Sequence, residues 1–177
     1  MNAQEKMAYA IQSLLLKKKI EDISVKDICM AADVSRQTFY KFFKDKYDLA
    51  FWIYKNEADR ICEEYVHNHD YHNMLVNILK IYKSNVGYYQ KLLLSTDVQN
   101  SFFNQYISYS VDLSIDMIGR SNMDPFKRRV LRMFSSGVAV EIRNWVLSGT
   151  KEDCDSFAHL IEESLPVILR EGFRYDG

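Results

Sequence analysis

Arg36, Gln37, Thr38, Tyr40 and Lys41 bring a guanidinium, an amide, a hydroxyl, a phenol and an amine into one short stretch. All five can donate hydrogen bonds, which suits phosphate oxygens and the edges of nucleobases. Arg36, Gln37 and Lys41 are the candidate base readers, because Gln pairs two-point with adenine while Arg and Lys favour guanine. Each such pair supplies ~1–3 kcal/mol of discrimination, so Gln37 alone cannot define a site. Ser24, Lys26, Thr38, Tyr40, Lys44 and Lys46 are candidate phosphate contacts, as short hydroxyls, a phenol and amines near helix ends. Phe39, Phe42 and Phe43 interleave with these groups and are expected to pack inward.

The residues around this stretch can hold it in place. Ser24 can cap a first helix, with Asp27 three positions on completing a capping-box-like pair. Val25, Ile28, Cys29 and Ala32 then recur at helical spacing. Asp33 stands where the chain must turn, and Asp tolerates left-handed backbone better than most residues. Val34 can plug the angle, and Ser35 can cap the second helix, Arg36 to Phe43, adding a hydroxyl beside the DNA-contact set. The pattern is a helix-turn-helix whose second helix reads DNA.

The run SVKDICMAADVSRQTFYKFFKDKYDL (Ser24 to Leu49) resembles the DNA-binding signature of the TetR family of bacterial regulators, T-x-x-x-I-A-x-x-A-G-V-S-x-G-T-F-Y-x-x-F-x-x-K-x-x-L. Ser24 stands for the Thr, and Ile28, Ala32, Val34, Ser35, Thr38, Phe39, Tyr40, Phe43, Lys46 and Leu49 match. Cys29 replaces a small Ala, Asp33 the turn Gly, and Gln37 a commonly small residue on the reading helix. The last departure bears on which bases are read. Two further runs, KDKYDLAFWIYKNE (Lys44 to Glu57) and GVAVEIRNWVLSGTKED (Gly137 to Asp153), resemble a subgroup typified by an activator of dihydroxyacetone-kinase operons. The resemblance implies a cytoplasmic homodimer on a palindromic double-stranded operator, switched by a small molecule or by a metabolite-sensing partner protein. It leaves repression and activation both open.

Composition is compatible with that reading. An apolar fraction of 47% excludes a disordered chain, and six Gly and two Pro among 177 residues favour long helices. No apolar run approaches the roughly 18–20 residues of a membrane span, and no charged-then-apolar leader opens the chain. Cys29, Cys62 and Cys154 lack CxxC spacing, so neither a disulfide framework nor a zinc site is indicated. Net charge is −1, divided as +2 over residues 1–50 and −3 over the rest, which suits a protein touching DNA with one small surface.

The expected fold is all-α: a three-helix head over residues 1–47 and a larger helical body over 48–177, about nine helices in all. The first helix is expected from Asn2 to Lys19, ending in a lysine run, and a long fourth helix follows Asp45. Later helices are expected at Tyr71–Asn85, Tyr88–Leu94, Val98–Ile118, Pro125–Leu147 and Lys151–Glu171. Asp97, Asp124 and Thr150 serve as caps, Gly149 as a helix stop, and Pro166 as a kink in the last helix.

In the body, Val130, Phe134, Gly137, Val138, Glu141 and Trp145 lie near one stripe, and Phe157, Leu160, Ile161, Leu165 and Ile168 on another. Together they suggest a four-helix interface between two protomers, or alternatively the monomer's own core. Two-fold symmetry would put two reading helices ~34–36 Å apart on successive major grooves. Tyr82, Tyr89, Phe102, Phe103, Tyr106 and Tyr109 could wall an effector pocket or form plain core. His67, His69, Asp70 and His72 read as a polar loop rather than a metal site, and no cofactor is expected. An enzyme would need a reactive constellation, and the chain offers no Gly-rich phosphate loop, GxSxG elbow or HExxH. A helical adaptor that binds only protein is the alternative class; it would explain the acidic body but not the basic-polar second helix.

Overall fold

Short polar side chains cap most of the described helix starts. A computed structural model of the protein describes residues 1–95 and 102–173. Helix α1 (Ala3–Leu15) begins at Asn2, whose side chain accepts from the Glu5 N–H (2.9 Å) while the Glu5 carboxylate accepts from the Asn2 N–H (2.8 Å). Ser24 and Asp27 repeat that reciprocal pair at α2 (Val25–Ala32), and Ser35 caps α3 (Arg36–Phe42). Asp45 opens α4 (Lys46–Asn68) by accepting from the N–H groups of Tyr47 and Asp48. There follow α5 (Tyr71–Ser84), α6 (Val86–Leu93), α7 (Phe102–Ile118), α8 (Pro125–Leu147), α9 (Cys154–Glu163) and α10 (Val167–Phe173). Asp124 caps α8 with Pro125 in its first turn, where the missing N–H costs nothing. Short 3-10 turns occupy Ile20–Asp22 and Arg120–Asn122, and the described residues contain no strand.

Several boundaries differ from expectation. Helix α1 stops at Leu15, so the lysine run Lys17–Lys19 lies beyond it as an exposed connection to the Ile20–Asp22 turn. Thr150 is not a cap: Gly149 and Thr150 turn through positive φ (88° and 53°), and their N–H groups close α8 on the carbonyls of Val146 and Trp145. Asp153 caps α9 instead.

The single last helix expected over Lys151–Glu171 is two. Proline has no N–H and its ring crowds the carbonyl four residues back, so the chain breaks before Pro166 rather than bending through it. The Arg170 side chain satisfies the freed end, donating from Nε to the Leu165 carbonyl (3.0 Å) and from Nη2 to that of Glu163 (2.9 Å). The expected cap at Asp97 and the helix start at Val98 lie outside the described residues.

The chain divides into two compact units, Met1–Asn56 with Asn85–Gln105, and Glu57–Ser84 with Tyr106–Gly177. In the first, α1 packs on α2, α3 and α6, and Met7, Ile11, Leu15, Ile28, Phe39 and Leu49 are fully buried. The Tyr88 hydroxyl donates to the Ala50 carbonyl (3.2 Å), joining α6 to α4 within this unit. In the second, α5 packs along α9, and α8 receives α10. Its main core gathers Val111, Ile115, Ile118, Leu131, Leu165, Leu169 and Phe173. A methyl group added at Gly172 would stand 2.6 Å from Ile118 Cγ2, so α10 reaches α7 this closely only because Gly172 has no side chain.

Candidate nucleic-acid interface

The turn between α2 and α3 sets the direction of the second helix. Asp33 adopts left-handed backbone (φ 52°, ψ 52°), and the N–H groups of Asp33 and Val34 close on the carbonyls of Met30 and Cys29. Ser35 then restarts the chain as a helix, its hydroxyl accepting from the Thr38 N–H (3.0 Å) and pairing with the Thr38 hydroxyl (2.9 Å). Phe39 and Phe43 are buried with their rings 5.8 Å apart, and Trp52 meets Phe43 edge-on. One side of α3 is thereby locked, and Arg36, Gln37, Tyr40 and Lys41 are exposed on the rest of it.

The predicted contact residues are not equivalent in this arrangement. Lys26, Ser35 and Arg36 line a shallow notch at the turn, together with Met30 and Asp33. Of the Ser35–Thr38 hydroxyl pair, one proton is used internally and the other can serve an outside oxygen. Ser24 is more committed: its hydroxyl donates to the Asp27 carboxylate (2.8 Å) and accepts from the Asp27 N–H (3.1 Å). The Ser24 backbone N–H and hydroxyl together hold the Asp27 carboxyl below its usual range. Lys44 is exposed, while its backbone N–H donates to Asp48.

Lys46 departs from expectation. Its ammonium donates to the carbonyls of Glu21 and Ile23, each at 2.9 Å, and lies 5.4 Å from the Tyr47 ring centroid. Those bonds hold it against the turn that precedes α2 and occupy two of its three donors. Phe42 departs too: it is 39% exposed, with the Lys41 ammonium 5.6 Å from its ring centroid. It follows Phe39 by three residues, a spacing that helical periodicity puts on the same face, so its exposure at the end of α3 was not legible in the sequence. Met30, 71% exposed at the rim of the notch, carried no signal in the sequence beyond its position on α2. Cys29 is buried, and burial pushes its thiol up, which keeps it protonated and inert.

The other candidate groups are also located. Tyr89, Phe102 and Phe103 belong to the first unit, and Tyr82, Tyr106 and Tyr109 to the second. Tyr89 packs on Phe102 (5.9 Å between centroids) and Tyr82 meets Tyr106 edge-on (6.2 Å), all four buried. The Tyr109 hydroxyl donates to Asp59 at 2.6 Å, and burial together with that bond pushes its pKa far up. Of the expected interface stripe, Trp145, Phe157, Ile161 and Leu165 are buried in the chain's own core, with the Trp145 and Phe157 rings tilted against each other at 5.4 Å. Val130, Phe134 and Val138 are half-buried, and Gly137, Glu141, Leu160 and Ile168 are exposed. The outermost apolar line of α8 is instead Phe126, Met133 and Val140, the first two more than 60% exposed. His72 joins neither His67 nor His69; its two ring nitrogens face Glu162 (3.2 Å) and Asp155 (3.1 Å) on α9. Among the described residues no three His, Cys, Asp or Glu side chains are grouped to hold a metal.

No family model matches the chain. It is 29% identical over 100 residues to the HTH-type dhaKLM operon transcriptional activator DhaS of Lactococcus lactis subsp. lactis (strain IL1403). That alignment takes in 56% of this chain and 54% of DhaS, about half the length of each. Among solved structures, the dihydroxyacetone kinase operon activator DhaS superimposes with a TM-score of 0.64 at 20% identity, over 96% of this chain and 95% of that one. The fatty acid degradation regulator FadR from Bacillus halodurans gives 0.56 at 15% identity, with the same coverage. Fold and sequence likeness converge, and the chain is an all-helical protein similar to DhaS.

Proposed function

We propose that this chain is a sequence-specific, DNA-binding transcriptional regulator that works as a homodimer and is not an enzyme. The observation that carries the reading is α3: Phe39 and Phe43 anchor one side of it, and Arg36, Gln37, Tyr40 and Lys41 stand exposed on the remainder. That is what a helix entering a major groove requires. The likeness to DhaS, named as an operon activator, supports it. Gel-shift against the DNA upstream of the chain's own gene, at low salt, tests it. A discrete shift that survives competitor DNA is expected; binding no tighter than to random duplex would leave the helical adaptor as the better reading.

The homodimer is supported by the outward line Phe126, Met133 and Val140, flanked by half-buried Val130 and Phe134. Gly137 lies on the same face, and nothing within 4 Å would meet a side chain there, so a second backbone can come close. An apolar helix face of this kind is expected to be covered. The switch belongs to a small-molecule effector or a metabolite-sensing partner protein acting on the second unit. A difference in its affinity for the DNA-competent and incompetent states would supply the coupling.

A further inference from the structure

We propose that Asp33 limits the strength of DNA binding: its carboxylate, exposed in the notch between α2 and α3, opposes the backbone phosphates that Lys26, Ser35 and Arg36 attract. The proposal rests on the DNA-binding reading above and concerns the same surface. The corner needs left-handed backbone at this position (φ 52°, ψ 52°), and the main chain makes its bonds. They run from the N–H groups of Asp33 and Val34 to the carbonyls of Met30 and Cys29. Glycine would meet that need at no steric cost and without a charge. The Asp33 side chain is exposed, and among the described residues no hydrogen bond or ion pair reaches its carboxylate. It lines the notch beside Lys26, Ser35 and Arg36.

Two other acids nearby are committed where Asp33 is not. The Asp27 carboxylate accepts from the Ser24 N–H and hydroxyl, and that of Asp45 from the N–H groups of Tyr47 and Asp48. A carboxylate and a phosphate oxygen both only accept, so nothing on the DNA backbone can satisfy Asp33. A unit charge within a Debye length of the phosphates, ~10 Å at 0.1 M salt, shifts affinity by roughly two- to five-fold in a watery setting. Because the repulsion comes from phosphates, it acts on all sequences alike, unlike the contacts of Gln37. An effector releases a regulator only through the difference in its affinity for two states, so a weaker operator complex lets a modest coupling switch it.

Asp33→Asn removes the charge and keeps a residue that tolerates left-handed backbone; Asp33→Gly removes charge and side chain together. Both suit this corner, so neither endangers the fold. The probes are a duplex enriched by the wild-type protein from a random-sequence pool, its single-base variants, and poly(dI–dC). Each protein variant should bind every probe about three-fold more tightly than the wild type at roughly 0.05 M salt, with the gain fading toward about 0.5 M. The dependence of log K on log salt should steepen by up to about 0.9, the change that one further neutralised phosphate produces.

Unchanged or weaker binding in both variants would overturn the proposal. A gain that does not depend on salt would assign the effect to relief of backbone strain, and a change confined to one base position would make Asp33 a base reader; either result overturns it as well. Failure of the wild-type chain to enrich any duplex would refute the DNA-binding reading and this role with it. Enrichment by the wild type without the gain in the variants refutes this role alone.

Discussion

Under the proposed DNA binding, Gln37 and Lys26 would touch DNA in two different ways, and they stand on different helices. Gln37 is exposed on α3, on the helix that would enter the groove, whereas Lys26 lines the notch beside Ser35 and Arg36. Gln37→Ala is expected to relax preference at one or two base pairs, by about 1–3 kcal/mol against the wrong base. Lys26→Ala should weaken all sequences alike and make the salt dependence shallower by about 0.9 for the phosphate it leaves un-neutralised. Titration of both variants against a panel of single-base operator changes checks this; equal losses on every sequence would merge the two roles. Phe39→Ala acts by a different route, since it empties a fully buried site, and should cost roughly 3–5 kcal/mol of folding stability in a denaturant melt.

At the scale of elements, local chemistry was legible and distant chemistry was not. Ser24, Asp33, Ser35, Asp45 and Asp124 work within a few residues of themselves, so their spacing in the sequence already states the bond. Lys46 and Arg170 look like ordinary surface cations in sequence because their carbonyl partners are chosen by folding. The body stripe failed for a related reason. Periodicity locates an apolar face, but only packing shows that Trp145 and Phe157 face inward while Met133 and Val140 face out.

The clamp between α5 and α9 gives a pH dependence. The bond to Asp155 is the largest influence on His72 and raises its pKa above the ordinary 6.5; burial works against it, and the bond to Glu162 adds to the rise. A raised pKa stabilises the fold fully below the unfolded value and less as pH climbs through the folded one. The melting temperature of the wild-type chain should therefore fall more between about pH 6 and 8 than that of His72→Gln. Parallel curves for the two would discard the clamp as a contributor.

Where α10 meets α7, Gly172→Ala should cost roughly 1–3 kcal/mol through overpacking against Ile118. Combining it with Ile118→Ala should cost less than the sum of the single changes, because the clash disappears.

At the scale of the whole molecule, the exposed line on α8 predicts an oligomer. Met133→Glu places a charge on that face without disturbing the core, and sedimentation at micromolar protein should show dimer for the wild type and monomer for the variant. A wild-type monomer would remove the homodimer from the proposed function. The order of the chain carries a separate consequence. The unit that holds α3 is assembled from two stretches, with Asn85–Gln105 returning to supply α6, Tyr88 and Phe102 after the intervening residues have gone elsewhere. Modularity in this protein is thus a property of space and not of the gene. A chimera that swaps only the first 47 residues for those of a related regulator would graft a foreign head onto a native α6, leaving a seam through the middle of its core. Transplanting the reading specificity intact requires exchanging both stretches, or else only the exposed residues of α3.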